Sequence, residues 1–153
     1  MRFGVSFETL IMKRYLLLFG LSLAFLTSYG DTIDFWHVYI NDSVVVRYNA
    51  VSDDLTIHLK STSIADDDEI SIRHWDDTPC LECKQVLFVR DEKHRKLRIT
   101  ETDEFGGKMT FSLKDLLDFG RKNDSKRYDF YYWEIGSEGR LTPMTLVLQL
   151  TVD

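Results

Sequence analysis

Alternation of apolar and polar side chains at a period of two constrains this chain more than any other feature, because a strand with one buried face requires it. Leu55, Ile57 and Leu59 alternate with Thr56, His58 and Lys60, and Ile70 and Ile72 alternate with Ser71 and Arg73. Leu97 and Ile99 follow the same rule, as do Met109, Phe111 and Leu113. The longest run sets Leu146, Leu148, Leu150 and Val152 on one side and Thr145, Val147, Gln149 and Thr151 on the other. Between residues 31 and 153 Val, Ile and Thr supply 27 residues, whereas Ala occurs only at positions 50 and 65, a balance that favours sheet over helix. Turn-forming clusters fall between the runs, at Asn41-Asp42, Ser52-Asp53-Asp54, Asp66-Asp67-Asp68, Asp91 to Arg95, Gly106-Gly107 and Gly136 to Gly139. The pattern predicts a single all-β domain over residues 31–153, a mainly antiparallel β-sandwich or barrel of about eight strands.

One helix is expected to interrupt the strands. Ser112 can cap its start with Asp115 three residues on, Leu113, Leu116 and Leu117 form an apolar side, and Gly120 can close the end. The final third combines that helix, the aromatic run Tyr128 to Trp133, a glycine-containing turn and the strand at 145–152. In this order it resembles the closing hairpin of an immunoglobulin- or fibronectin-like sandwich. The spaced Cys, Trp and Cys of true immunoglobulin domains are missing, so the resemblance implies architecture alone.

The N-terminus reads differently. Lys13 and Arg14 precede the apolar run Leu16 to Leu26, and Ser28 and Gly30 stand at the −3 and −1 positions of a cut before Asp31. This is the plan of a secretory signal peptide over residues 1–30, with Met12 an alternative start, and the run is too short to span a membrane as a helix. The expected location is therefore secreted or periplasmic. The whole chain carries 19 basic and 25 acidic residues, net −6; beyond residue 30 the balance is 16 against 24, net −8. Such acidity excludes general nucleic-acid binding, which needs a basic footprint.

Thr78-Pro79-Cys80-Leu81-Glu82-Cys83 is the densest chemical motif. In an exported chain the C-x-x-C pair reads first as a local disulfide contributing about 2 kcal/mol. A zinc site is the alternative, with His74 six residues before the pair and His94 eleven after it, although that spacing matches no zinc finger. Redox catalysis is disfavoured, because Asp76, Asp77 and Glu82 would raise a thiol pKa. Two surfaces could bind a partner. Tyr131 and Trp133 share a strand face opposite Tyr128, Phe130 and Tyr132 and could stack on a sugar ring. Lys93, Arg95 and Lys96 stand at a basic hairpin tip that could meet an acidic envelope or extracellular protein. No Walker loop, G-x-S-x-G, H-E-x-x-H or dinucleotide-binding glycine pattern occurs. These features lead to the expectation of a non-enzymatic binding module without a cofactor, directed at an exported protein or, alternatively, at a carbohydrate.

Overall fold

The computed structural model describes residues 33–153, and the expected leader over residues 1–30 lies outside them. Nine strands, one α-helix and a single 3-10 turn (Ser61–Ser63) are described: β1 (Phe35–Ile40), β2 (Ser43–Asn49), β3 (Thr56–Leu59), β4 (Glu69–Trp75), β5 (Lys84–Asp91), β6 (Lys96–Thr102), β7 (Met109–Ser112), α1 (Leu113–Asn123), β8 (Arg127–Ile135) and β9 (Thr145–Val152). They form a four-stranded sheet in the order β2-β1-β4-β7 and a five-stranded sheet in the order β3-β9-β8-β5-β6. The described chain is all-β with one helix, as the period-two runs require. Neighbouring strands are antiparallel, except that β3 runs parallel to β9. Parallel pairing needs a long connection, and nearly the whole domain lies between these two strands.

The sheets share one core. Trp36 and Val38 of β1, Ile70 and Ile72 of β4, and Met109 and Phe111 of β7 belong to the same buried cluster as Leu87, Val89, Phe130 and Leu148 of the second sheet. Phe111 meets Phe130 edge to face at 5.6 Å, an aromatic contact made directly from sheet to sheet. Strand β9 departs from simple alternation. A bulge between Phe130 and Tyr131 shifts its register, so Leu146 lies opposite Tyr131 and Val147 is buried along with Leu148.

Helix α1 starts as expected, with the Ser112 hydroxyl accepting from the Asp115 backbone N–H at 3.2 Å. Its end is not at Gly120, which is inside the helix and buried. The helix closes at Asp124, which takes the left-handed conformation at φ 52°. Gly120 instead makes room for Tyr128, whose hydroxyl donates to the Leu116 carbonyl at 2.6 Å. A Cβ at position 120 would lie 2.2 Å from the Tyr128 hydroxyl oxygen and 2.6 Å from the Ser125 carbonyl oxygen.

The basic hairpin tip between β5 and β6 is tied to the same helix end. Lys93 donates to the carbonyls of Asn123 and Asp124, and Arg95 donates to the Asn123 carbonyl and the Ser125 hydroxyl, so neither residue is a free docking group. Cations at a helix C-terminus complete its unpaired carbonyls and oppose its dipole. Asp91 anchors the turn. Its fully buried carboxylate accepts from Arg95 Nε at 2.7 Å, Ser125 Oγ at 2.8 Å and two backbone amides. Burial works against ionisation, yet the hydrogen bonds from Arg95 and Ser125 and the Arg95 charge bring the Asp91 carboxyl down to about 2.

Two outcomes follow. Gly120→Ala, which normally stabilises a helix interior by about 1 kcal/mol, is expected here to destabilise the domain by about 1–3 kcal/mol in urea unfolding, because the methyl overlaps Tyr128. Asp91→Asn is expected to cost about 3 kcal/mol at neutral pH. Because the folded carboxyl titrates below its ordinary 3.8, the wild-type advantage is full above that value and is lost as pH falls through about 2. Unfolding curves of wild type and variant, run from neutral pH downward, should therefore converge.

Candidate functional site

Three inward-facing series extend past the apolar core and end on polar groups. On β4 the series Ile70, Ile72 continues to His74; on β8 Tyr128, Phe130, Tyr132 continues to Glu134; ahead of β1 the parity of Val38 and Trp36 falls on Asp34. Cross-strand register sets Trp36 opposite His74 on neighbouring strands, with rings 5.2 Å apart. The four polar residues meet at one edge of the core.

His74 is 2% exposed and both ring nitrogens are engaged. Nε2 lies 3.1 Å from Asp34 Oδ1, and Nδ1 lies 2.8 Å from the Tyr132 hydroxyl. Tyr132 in turn donates to Glu134 Oε1 at 2.6 Å, and Glu134 Oε1 is 3.7 Å from Nδ1. A hydroxyl has one proton to give and a carboxylate has none, so the contacts can be counted. Tyr132 keeps its proton, because burial first, and then the hydrogen bond and charge of Glu134, push its phenol far above the ordinary tyrosine value. That one proton can be directed to His74 Nδ1 or to Glu134 Oε1, so Tyr132 links the two groups.

The group opens on solvent. A recess of about 240 Å³ is lined by Asp34, Trp36, His74, Asp76, Tyr132 and Glu134, among others. A neighbouring groove of about 450 Å³ is lined by Cys80, Cys83 and Gly136, and it shares Glu134 and Thr142 with the recess. Cys83 also lines a further groove on its other side, next to Lys84 and Ile135. The Cys83 sulfur lies 3.9 Å from where a Cβ on Gly136 would stand, and Gly136 directly follows the end of β8 at Ile135.

The cysteines and histidines are distributed as follows. Cys80 and Cys83 form a disulfide, with Cα atoms 5.3 Å apart, and they are the only cysteines in the chain. The zinc constellation of Cys80, Cys83, His74 and His94 is not assembled. Both sulfurs are covalently paired, His74 is bonded to Asp34 and Tyr132, and His94 sits at the β5–β6 hairpin tip at φ 61°. Among the described residues no three His, Cys, Asp or Glu side chains converge to hold a metal ion.

The aromatic and basic candidates are separated as well. Tyr131 and Trp133 lie on the outer face of the five-stranded sheet, half-buried, on either side of Phe88 at 5.9 and 6.1 Å. Arg90 already covers the Tyr131 ring at 4.2 Å, and Lys96 lies 5.6 Å from the centre of the Phe88 ring. That face is occupied by its own side chains. Sequence reading missed Asp34, Tyr132 and Glu134 as site residues. The available signal was parity: a polar residue in register with buried apolar ones must find a partner inside.

A family model described as 3C cysteine protease (picornain 3C) matches residues 4–111, well over half of the chain. No individual curated protein matches it. The matched segment contains Asp34, His74, Cys80 and Cys83 and begins within the stretch read above as a leader, whereas Tyr132 and Glu134 lie beyond it. This finding overturns the expectation of a non-enzymatic module for an exported protein or a carbohydrate. That expectation rested on the absence of contiguous catalytic motifs from the sequence. By the extent of that match, the chain belongs to the 3C cysteine protease family.

Proposed function

We propose that the chain is a cysteine-type peptidase in which Cys83 is the nucleophile and the His74–Tyr132–Glu134 group manages the protons. One observation carries this reading: Glu134 lines both the recess around His74 and the groove lined by Cys80 and Cys83. The two-sheet arrangement with a shared core supports a sandwich.

The disulfide sets the order of events. A thiolate attacks carbonyl carbon, and a disulfide sulfur does not, so the resting chain is inactive until a dithiol reduces Cys80–Cys83 to two thiols and leaves as its own cyclic disulfide. The Cys83 thiol passes its proton to the Glu134 carboxylate as its sulfur adds to the scissile carbonyl. The leaving amine takes that proton as the C–N bond breaks, and a thioester remains. Water hydrolyses the thioester, returning a proton to the network and a carboxylic acid to solvent. Asp34 holds the imidazole by Nε2 throughout.

Cys80→Ala is expected to cleave a mixed peptide library without reductant, Cys83→Ala to be inactive with or without it, and wild type to cleave only after reduction. Mass spectrometry of the products decides; equal activity of the two variants would refute the assignment. Tyr132→Phe removes the link between His74 and Glu134. It is expected to lower kcat about 100-fold with little change in KM, and to alter the pH profile of kcat.

A further inference from the structure

One buried acceptor in the five-stranded sheet is left without a donor, and it stands beside the carboxylate that takes the Cys83 proton in the reading above. Gln85 of β5 is 2% exposed, and its side-chain oxygen Oε1 has no hydrogen-bond partner. Strands β5 and β8 pair without a register shift, which sets Gln85 directly opposite Glu134. Directly opposite residues carry their side chains on one face, with Cβ atoms about 4.5–5.5 Å apart. For this pair it is the inner face, because Leu87 and Tyr132, the next residues of the same parity, also lie opposite each other and belong to the core. Gln85 and Glu134 are therefore neighbours, and both side chains are long enough to span the gap. On the other flank β6 sets Thr102 opposite Gln85, but the Thr102 hydroxyl accepts from the Glu104 amide at 3.1 Å and gives no bond to Oε1.

An ionised Glu134 cannot complete Gln85, since a carboxylate has no proton to donate. A protonated one can. Glu134 Oε1 already accepts from Tyr132, so the proton taken from the thiol goes to Oε2, and that new O–H is a donor in need of an acceptor. Gln85 has an acceptor in need of a donor. Unpaired buried polar groups are costly, so forming this bond favours the proton transfer that makes it available.

We infer that Gln85 is a positioning residue for the proton transfer: its side-chain carbonyl accepts from Glu134 Oε2 while Glu134 holds the Cys83 proton, and lets go when that proton passes to the leaving amine. Gln85 gains and loses no atom; one hydrogen bond forms and breaks. The inference names a further residue for the peptidase reading above and rests on it.

The test follows the Glu134 carboxyl carbon by carbon NMR against pH in the oxidised full chain, assigned through Glu134→Gln, for wild type and Gln85→Met. Besides Tyr132, the charged and titratable groups that face Glu134 are His74, Asp34 and Asp76 around the recess and Glu82, Glu138 and Arg140 around the groove, and both proteins keep all of them. The titration midpoint is expected about one pH unit lower in Gln85→Met, a proton held about tenfold less tightly. Because Oε1 is unpaired while Glu134 is ionised, Gln85→Met is expected to resist urea at neutral pH at least as well as wild type. An unchanged or higher midpoint overturns the inference, and so does a variant that is less stable or fails to fold, since Gln85 would then already be paired. In the reduced chain the acid limb of the kcat profile is expected to move down by the same unit with KM unchanged, and an unmoved limb in an active chain also overturns it. A lowered midpoint without any cleavage by wild type sinks the peptidase reading and keeps the Gln85–Glu134 pair; cleavage with an unchanged midpoint does the reverse.

Discussion

Two buried hydroxyls on β8 have to find partners, and much of the structure is arranged around how they do so. Tyr128 is 1% exposed and donates to the Leu116 carbonyl, which fixes where α1 lies and demands glycine at position 120. Tyr132, two pleats further along the same face, reaches His74 of the other sheet and Glu134 of its own strand. An unpaired hydroxyl in the core would cost about 1–3 kcal/mol, so each partner is held in place as firmly as an apolar neighbour. One strand thereby positions the helix at one end and the polar group at the other.

The same constraint places chemistry at the rim of the core. His74 is too deeply buried to act as a surface base, and its two nitrogens are already committed to Asp34 and Tyr132. Solvent meets the chain of bonds at its two carboxylates, Asp34 with 39% and Glu134 with 14% of its side chain exposed. Orientation comes from the rigid strands β1, β4 and β8, whereas the sulfur sits on the loop between β4 and β5, next to the end of β8. A local disulfide in that loop joins Cys80 to Cys83. The sulfurs and the histidine thus belong to different elements, one a loop and the other a rigid strand.

The Asp91–Arg95 pair shows the complementary solution, a charged group used for structure. Its carboxylate is fully buried but every oxygen is satisfied, and the basic tip that carries Arg95 is spent on α1. In sequence the tip looked like a free cationic surface, because five basic residues between Arg90 and Arg98 carry no sign of what they face.

Sequence alone determined β3, β4, β6, β7, β8 and β9, most of their inward faces and the capped start of the helix, because period-two burial and a Ser112 cap are local properties of the backbone. Ile70, Ile72, Phe111, Phe130 and Leu150 could all be assigned to the core from parity. Tertiary structure decided everything that depended on who lies opposite. It set the bulge that turns Leu146 outward, the use of Gly120 for contact rather than closure, the capture of Lys93 and Arg95 by a helix end, and the meeting of Asp34, His74, Tyr132 and Glu134. These four residues span a hundred positions and three strands' worth of register, and no local pattern encodes a distance between separate strands. Their parity announced that each needed a partner; only packing of the two sheets supplied which one.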